Sequence, residues 1–424
     1  MCEIRVGLPE VNVLGVDDGD LFLEIHVECR RPRPGCRFCG VLAQLKDQRI
    51  VTLVDLPCFG KPTRLAWHKR RWRCSEVDCP NGSWSEEAPR IAAPRFAITD
   101  RAGRWITEQV GRCARSVNEV ARELGCDWHT VNDAVLAYGG ALVDDPGRFG
   151  AVAALGLDEV LFVREGPFRR PQFSTSIVDV GRGQLLDVVP GRSGVGPRVW
   201  LAEQGSSWLA EVAYATLDLS GSYRAVFDAM VPDATQVVDP FHVVKLANDK
   251  LDECRRRVQN ETFGHRGRKP DPLYRCRRLL TKADERLDDK GRGKLLGLLR
   301  AGDPHSEVAT AWHAKEAVRE LYGHDDPDLA LTFVDRLAAD MDDAVHPVEV
   351  RSLGRTLKRW RLQIAAWHRA KVSNGPTEAM NNLIKRVKRG AFGFRDFASY
   401  RVRALLYAGR PDWSLLQSVT PTVR

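Results

Sequence analysis

Apolar residues recur along this chain with different periods, and the places where the period changes divide it into four zones. Up to about residue 90, short strand-like pieces lie in a stretch rich in Cys, Pro and Arg. From 94 to 140 the spacing is helical. Between 150 and 240, apolar strand runs alternate with short helical segments. The runs 152–157, 212–217 and 235–238 read as strands, 173–180 and 184–189 as a hairpin about Gly181-Arg182-Gly183, and 199–204 and 221–230 as helices. Beyond 245 the pattern is helical almost to the end. A stretch from 245 to 370 is far too long for a structureless loop, so it reads as a helical insertion. Ser373, Asn374, Gly375 and Pro376 are turn and helix-start residues, which predicts a helix beginning close to Thr377. On it Met380, Leu383, Ile384 and Val387 form the buried face, while Glu378, Asn382, Lys385 and Arg389 fall opposite.

Composition narrows the class. A chain of 424 residues with 43% hydrophobic content can build two or more ordinary globular cores. It has no apolar run of membrane-spanning length and no charged-then-apolar start, so a cytoplasmic protein without a membrane partner is expected. The net charge of +8 favours a polyanionic partner. Eleven cysteines, an odd number without a secretion signal, argue for metal ligation by a subset rather than a disulfide scaffold.

The candidate chemistry starts with those cysteines. Cys36 and Cys39 form one close pair and Cys74 and Cys79 another, together the four thiolates that tetrahedral zinc requires. Free buried thiols are the alternative, and Cys29 and Cys58, without close partners, read that way. The basic run containing Arg70, Arg71 and Arg73 leads into the second pair; it suits either phosphate tracking or a solvated strand. In the second zone, Ala121, Gly125 and Val131 have the spacing of a helix-turn-helix: close approach, turn, and a plug from the second helix. Trp128, His129, Asn132 and Asp133 are then placed on or near the exposed side, where base edges are read.

Three predicted strands finish in an aspartate: Asp158, Asp218 and Asp239. Any one is readily a turn former or helix cap. Clustered at neighbouring strand ends, carboxylates repel, and a cation is expected to hold them. In a mixed sheet of order three-two-one-four-five, the first and fourth strands are neighbours, which nominates Asp158 and Asp218, with Asp239 the alternative second acid. His242 marks the same corner. Arg266, Arg268 and Lys269, in the basic interruption of the insertion, are candidate phosphate contacts, and so are Lys385 and Arg389 behind Glu378.

Taken in order, the paired cysteines, the helix-turn-helix and the segments LGLDEV, TLDLSGSY, VVDPFHVVK, GHRGRKPDPLY and SNGPTEAMNNLIKRVKRGAFGFRDF make the chain resemble a DDE transposase of the bacterial ISL-three insertion-sequence family over nearly its whole length. The resemblance implies a multidomain α+β protein. Its parts are a zinc ribbon (1–92), a helix-turn-helix domain (93–148), a ribonuclease H-like core begun at 149–244 and completed at 371–424, and an all-helical insertion (245–370). It implies a catalytic triad of Asp158, Asp218 and Glu378 holding Mg²⁺ or Mn²⁺, and structural Zn²⁺ on Cys36, Cys39, Cys74 and Cys79. The partners it implies are double-stranded DNA, both terminal inverted repeats and target, and a homodimer or larger assembly at the nucleoid. A silent DNA-binding regulator on the same fold, or a structure-selective nuclease, are the rival readings.

Overall fold

The computed structural model describes residues 7–8, 10–323 and 326–421. Alternating apolar positions build a first sheet from β1 (Val11–Asp18), β2 (Leu23–Cys29), β3 (Gln44–Cys58), β4 (Lys61–Arg73) and the short β5 (Ser83–Ser85). The order is β1-β2-β4-β3, with β5 on β4; β2 and β4 run parallel and the other pairs antiparallel. Every second residue of β2, namely Ile25, Val27 and Cys29, is buried with Leu53, Leu65 and Trp67 in a core of its own.

The helical second zone starts with α1 (Asp100–Thr107), followed by α2 (Val117–Leu124) and α3 (Trp128–Ala134). A capping box between Ser116 and Glu119 opens α2, and Gly125, left-handed at φ 61°, closes it. Ala121 and Val131 are both buried where the two helices meet, so the expected helix-turn-helix geometry is present. A π-type stretch, Val135–Gly139, continues α3 into α4 (Gly140–Val143). The first sheet is tied to these helices by Arg64, which donates to the Leu124 and Gly125 carbonyls, and by buried Asp55, which accepts from Thr99 and Arg101.

The second sheet consists of β6 (Ala154–Glu165), β7 (Arg170–Asp179), β8 (Gln184–Pro190), β9 (Tyr214–Leu217) and β10 (Thr235–Val238). Its order is β10-β9-β6-β7-β8, the three-two-one-four-five arrangement expected. β6, β9 and β10 are parallel, while β7 and β8 are antiparallel additions. One expectation fails: β6 does not end at Asp158 but runs through it to Glu165. β9 leaves β6 after Gly156, whereas β7 stays paired to the tip. The apolar run marked only the part of the strand covered by sheet on both sides.

The sheet separates two cores. On one face Leu155, Leu157, Ile177 and Leu186 meet α5 (Val195–Ala202), α6 (Ser206–Ala210), α7 (Gly221–Met230) and the long α8 (Pro240–Phe263). That core continues without a break into α9 (Pro272–Leu280), α10 (Asp289–Gly302), α11 (Glu307–Leu321), α12 (Pro327–Met341) and α13 (Val348–Ala370). The inserted helices therefore share the core of the sheet they interrupt. On the other face Val160, Val178, Leu185 and Val188 pack with α14 (Gly375–Gly390) and α15 (Phe397–Ala408), and this core also holds the helix-turn-helix residues Val120, Leu124 and Val131. No helix among the described residues is long and apolar enough to cross a membrane.

α14 comes down on β6 at a glycine. A Cβ on Gly156 would meet Thr377 Oγ1 at 2.3 Å, Val180 Cγ2 at 2.7 Å and Asn374 Oδ1 at 2.9 Å. Since these neighbours are buried, none can yield freely. Gly156→Ala is predicted to destabilise the protein by about 1–3 kcal/mol through overpacking. A denaturant midpoint equal to the parent's would show that α14 does not need this close approach.

Candidate functional site

The first cluster is built by two tight turns. Gly40, left-handed at φ 78°, closes the turn after Cys36 and Cys39, and its N–H donates to the Cys36 carbonyl. The second turn is pinned where Cys74 N–H donates to Gly82 and Cys79 N–H to Glu76. The Sγ atoms of Cys36 and Cys79 are 3.7 Å apart and those of Cys39 and Cys74 3.4 Å, and all four sulfurs lie within 4.8 Å of one another. A tetrahedron with Zn–S arms of about 2.3 Å has edges of roughly 3.8 Å, so the sulfur set fits zinc. The Cys36 thiol is pulled down to about 6 by the backbone N–H of Cys39, the Asn81 side chain and the Phe38 N–H. Cys74 is pushed up to about 12: the Glu76 N–H opposes the rise, but burial and the neighbouring sulfurs prevail. Crowded thiols that resist sharing negative charge are what a cation relieves. Cys29, by contrast, sits in the core of the first sheet, its thiol raised to about 11 by burial.

The second cluster lies where β9 parts from β6. The last register pair is Gly156 with Thr216; Asp158 lies two residues further along β6, and Asp218 directly follows the last residue of β9. Burial chiefly pushes the Asp158 carboxyl up to about 6, the Glu159 N–H opposing and the Asp218 charge adding to the rise. Asp218 is also raised, again first by burial. Its Oδ1 is buried without a hydrogen-bond partner. Two half-buried carboxylates near enough for the charge of Asp218 to act on Asp158, one of them with an orphaned buried oxygen, form a hard-oxygen donor set that fits a divalent cation such as Mg²⁺ or Mn²⁺.

Glu378 enters from the first turn of α14, with Oε1 3.4 Å from Nε2 of His242. Among the described residues only the four cysteines converge within 4.8 Å as a group; Asp158, Asp218 and Glu378 are more widely spaced. What joins the Glu378 helix to the first acid is Asn381, one turn on. Its Nδ2 donates to Asp158 Oδ2 at 2.8 Å, and its Oδ1 accepts from Ser176 at 2.8 Å. Asp239 behaves differently. It caps α8 by accepting from Phe241 N–H at 2.7 Å, and its other oxygen accepts the Asn374 N–H at 2.6 Å, at the start of α14. Both its oxygens are engaged by backbone.

The structure redistributes several residues nominated for nucleic acid. Trp128 and His129 are exposed at the start of α3, but Asn132 is buried and its Oδ1 accepts from Ser399. Its face of α3 is covered by α15, which helical spacing could not reveal. Arg70 is also taken: it pairs with buried Glu86 and donates to the Cys29 and Arg31 carbonyls, holding the first sheet together. Arg71 pairs with Asp47 and Arg73 donates to Gln44. Arg266, Arg268 and Lys269 are exposed after α8, as are Lys385 and Arg389 on α14. Asn381 was not singled out from sequence, and Asn374 only as a helix-start residue. The signal was there in outline, since Asn381 lies one position from Met380 and three from Ile384, inside a face that otherwise reads apolar.

Comparison with known proteins places these features. A family model of the ISL3 type described as a transposase matches residues 155–404, and one described as the helix-turn-helix domain of transposase family ISL3 matches 86–139. The chain is 26% identical over 420 residues to a Mycobacterium tuberculosis protein named as the transposase for insertion sequence element IS1557, covering 90% of this chain and 91% of that one. It is 25% identical over 371 residues to the Bordetella parapertussis transposase for insertion sequence element IS1001, covering 85% of each.

Two predictions follow from the clusters. Elemental analysis of the full chain should find one zinc per molecule, lost in Cys39→Ser together with cooperative melting of the first sheet; zinc retained in that variant would remove Cys39 from the ligand set. For Asp158, the folded state binds its proton more tightly than the unfolded chain does, because the carboxyl rises from 3.8 to about 6. Its ionisation therefore costs stability, and the cost grows as pH rises through that window. In cation-free buffer Asp158→Asn should be more stable than the parent at neutral pH by on the order of 1–3 kcal/mol, the difference vanishing below pH of about 4. A pH-independent difference would contradict this account.

Proposed function

The chain belongs to the ISL3 family of insertion-sequence transposases and carries that family's DNA-binding helix-turn-helix; on that basis we propose that Asp158, Asp218 and Glu378 are its DDE triad, cutting DNA at the ends of an element and joining those ends to target DNA. The observation that carries this reading is the nearness of Asp158 and Asp218, with a buried, partnerless Asp218 oxygen, beside the helix of Glu378. The strand order supports a ribonuclease H-like core, in which acids at the ends of the first and fourth strands adjoin. A regulator that had lost the chemistry would have no use for two neighbouring half-buried carboxylates, since without a cation they only destabilise the fold.

Mg²⁺ or Mn²⁺ bound by these carboxylates would make a water or a 3′-hydroxyl more acidic and offset charge on the leaving 3′-oxygen. The protein's own groups do the positioning. Asn381 fixes Asp158 through its Oδ2, and His242 Nε2 lies 3.4 Å from Glu378 Oε1. Lys385 and Arg389 continue from Glu378 along the exposed face of α14, a track for phosphates, with Arg266, Arg268 and Lys269 as further contacts. Trp128 and His129, at the N-terminal end of α3, are the side chains placed to read the terminal inverted repeats in the major groove. Zinc on the four cysteines would stabilise the turns of the first sheet. Two element ends must be held together, which calls for a dimer or larger assembly working on the nucleoid in the cytoplasm.

Asp158→Asn, Asp218→Asn and Glu378→Gln are each predicted to abolish cleavage and joining of labelled element-end DNA while leaving its binding within about twofold, because charge-neutral changes at the acids leave phosphate contacts intact. Asp239→Asn should instead lower stability by about 1–3 kcal/mol, through weakened backbone hydrogen bonds. Folded Asp239→Asn without cleavage, alongside active Asp218→Asn, would reassign the second acid.

A further inference from the structure

β8 accompanies β7 as far as Ser174, opposite Val160; beyond that pair β6 and β7 leave the sheet as a two-stranded arm. Its pairing runs from Leu161 with Phe173 out to Glu165 with Arg170, and residues 164–172 are exposed throughout. Seven residues separate Asp158 from Glu165, so the tip stands roughly 23 Å from the acid along the strand. The arm is braced at its base. A bulge between Leu161 and Val163 breaks the register, and Lys388 of α14 donates to the Leu161 carbonyl. Phe162 packs its ring on Phe397 and Tyr400 of α15, at 5.3 and 4.8 Å. A bulge bends a ribbon and re-aims it, and here the bend is fixed by the helix that carries Glu378.

The tip carries Arg164, Arg169 and Arg170 against a single acid, Glu165. None of the three guanidinium groups has a hydrogen-bonding or ionic partner among the described residues, whereas those of Arg70, Arg101, Arg257 and Arg401 are all paired. Arg169 adopts a left-handed backbone, φ 48°, where Gly or Asn would be easier. Phe168 is 80% exposed between them. Unpaired guanidinium groups on a rigid ribbon beside neighbouring carboxylates suit an extended polyanion reaching out of the site.

We propose that this arm grips the phosphate backbone of the duplex whose strand lies at Asp158 and Asp218, about seven base pairs from the bond to be cut, at 3.4 Å per pair. The location rests on the transposase reading of the acids; the contact itself is with phosphates and is independent of sequence. Phe168 lies against the sugars between the phosphates that Arg164, Arg169 and Arg170 hold.

The test is the salt dependence of binding of the full chain to a mixed-sequence duplex. Combined Arg164→Ala, Arg169→Ala and Arg170→Ala should reduce the slope of log K against log salt by about 2.7, that is 0.9 per lost phosphate contact, and the combined Lys variant should restore it. Sedimentation should show the same oligomeric state for all three proteins. A slope change below about one would overturn the proposal. So would a slope loss accompanied by a changed oligomeric state, which would make the arm a contact between protein copies. Glu378→Gln separates this from the catalytic reading: it should bind with the parental slope whether or not it cleaves.

Discussion

The hydrogen bond from Asn381 to Asp158 is the interaction on which the candidate site depends. It joins a strand near the start of the sheet to a helix that follows five inserted helices and α8 in sequence. Around it runs a buried polar seam. Ser176 donates to Asn381, Thr216 donates to Asn374 Oδ1 at 2.9 Å, and Asn374 N–H donates to Asp239. Gly156 is bare so that this seam can close. Satisfied in this way, buried amides fix one orientation of α14 on the sheet, because any shift would leave several groups without partners in a low-dielectric interior. Closure is so tight that Asn374 Nδ2 and Thr377 Oγ1 are left unpartnered, a cost set against the single geometry obtained.

The same seam explains why two aspartates a few residues apart in kind differ in role. Asp239 is as buried as any acid of the site, yet two backbone N–H groups answer its charge, and it behaves as a joint between α8 and α14. Asp218 has a buried oxygen with no donor, and its charge acts on Asp158. Burial raises both carboxyls, so the cation-free site stores unfavourable energy that a divalent ion would release. An orphaned buried oxygen on Asp218, against two backbone donors on Asp239, distinguishes these two acids, while Asp158 has both oxygens engaged, by Glu159 N–H and by Asn381.

Much of this was legible in the chain because it depends on local pattern. Gly125 between Ala121 and Val131 and the paired cysteines follow from spacing and turn chemistry, and the strand order came from likeness to a sheet of the ribonuclease H kind. What was not legible depends on what covers a surface. Asn132 and Arg70 look free on their own elements, but α15 covers one and Glu86 claims the other. The outward run of β6 past Asp158 was missed because the strand was ended at its first acid, although Val160 to Val163 resume the apolar run after Asp158 and Glu159. Asn381 was missed because a polar residue on a buried face is a defect until its partner, distant in sequence, is known.

The two cores on either side of the sheet then couple recognition to chemistry. α15 packs on β8 and on the helix-turn-helix at once, with Tyr400, Leu405 and Leu406 buried between them, and Ser399 reaches Asn132 on α3. α14, which carries Glu378, belongs to the same core. A close-packed interior transmits displacement rather than absorbing it, so α3 cannot move far relative to Asp158 without opening this core. The separation of α3 from Asp158 is therefore set by side-chain packing within one chain. The Ser399–Asn132 hydrogen bond, which joins a buried side chain of α3 to α15, is part of that packing.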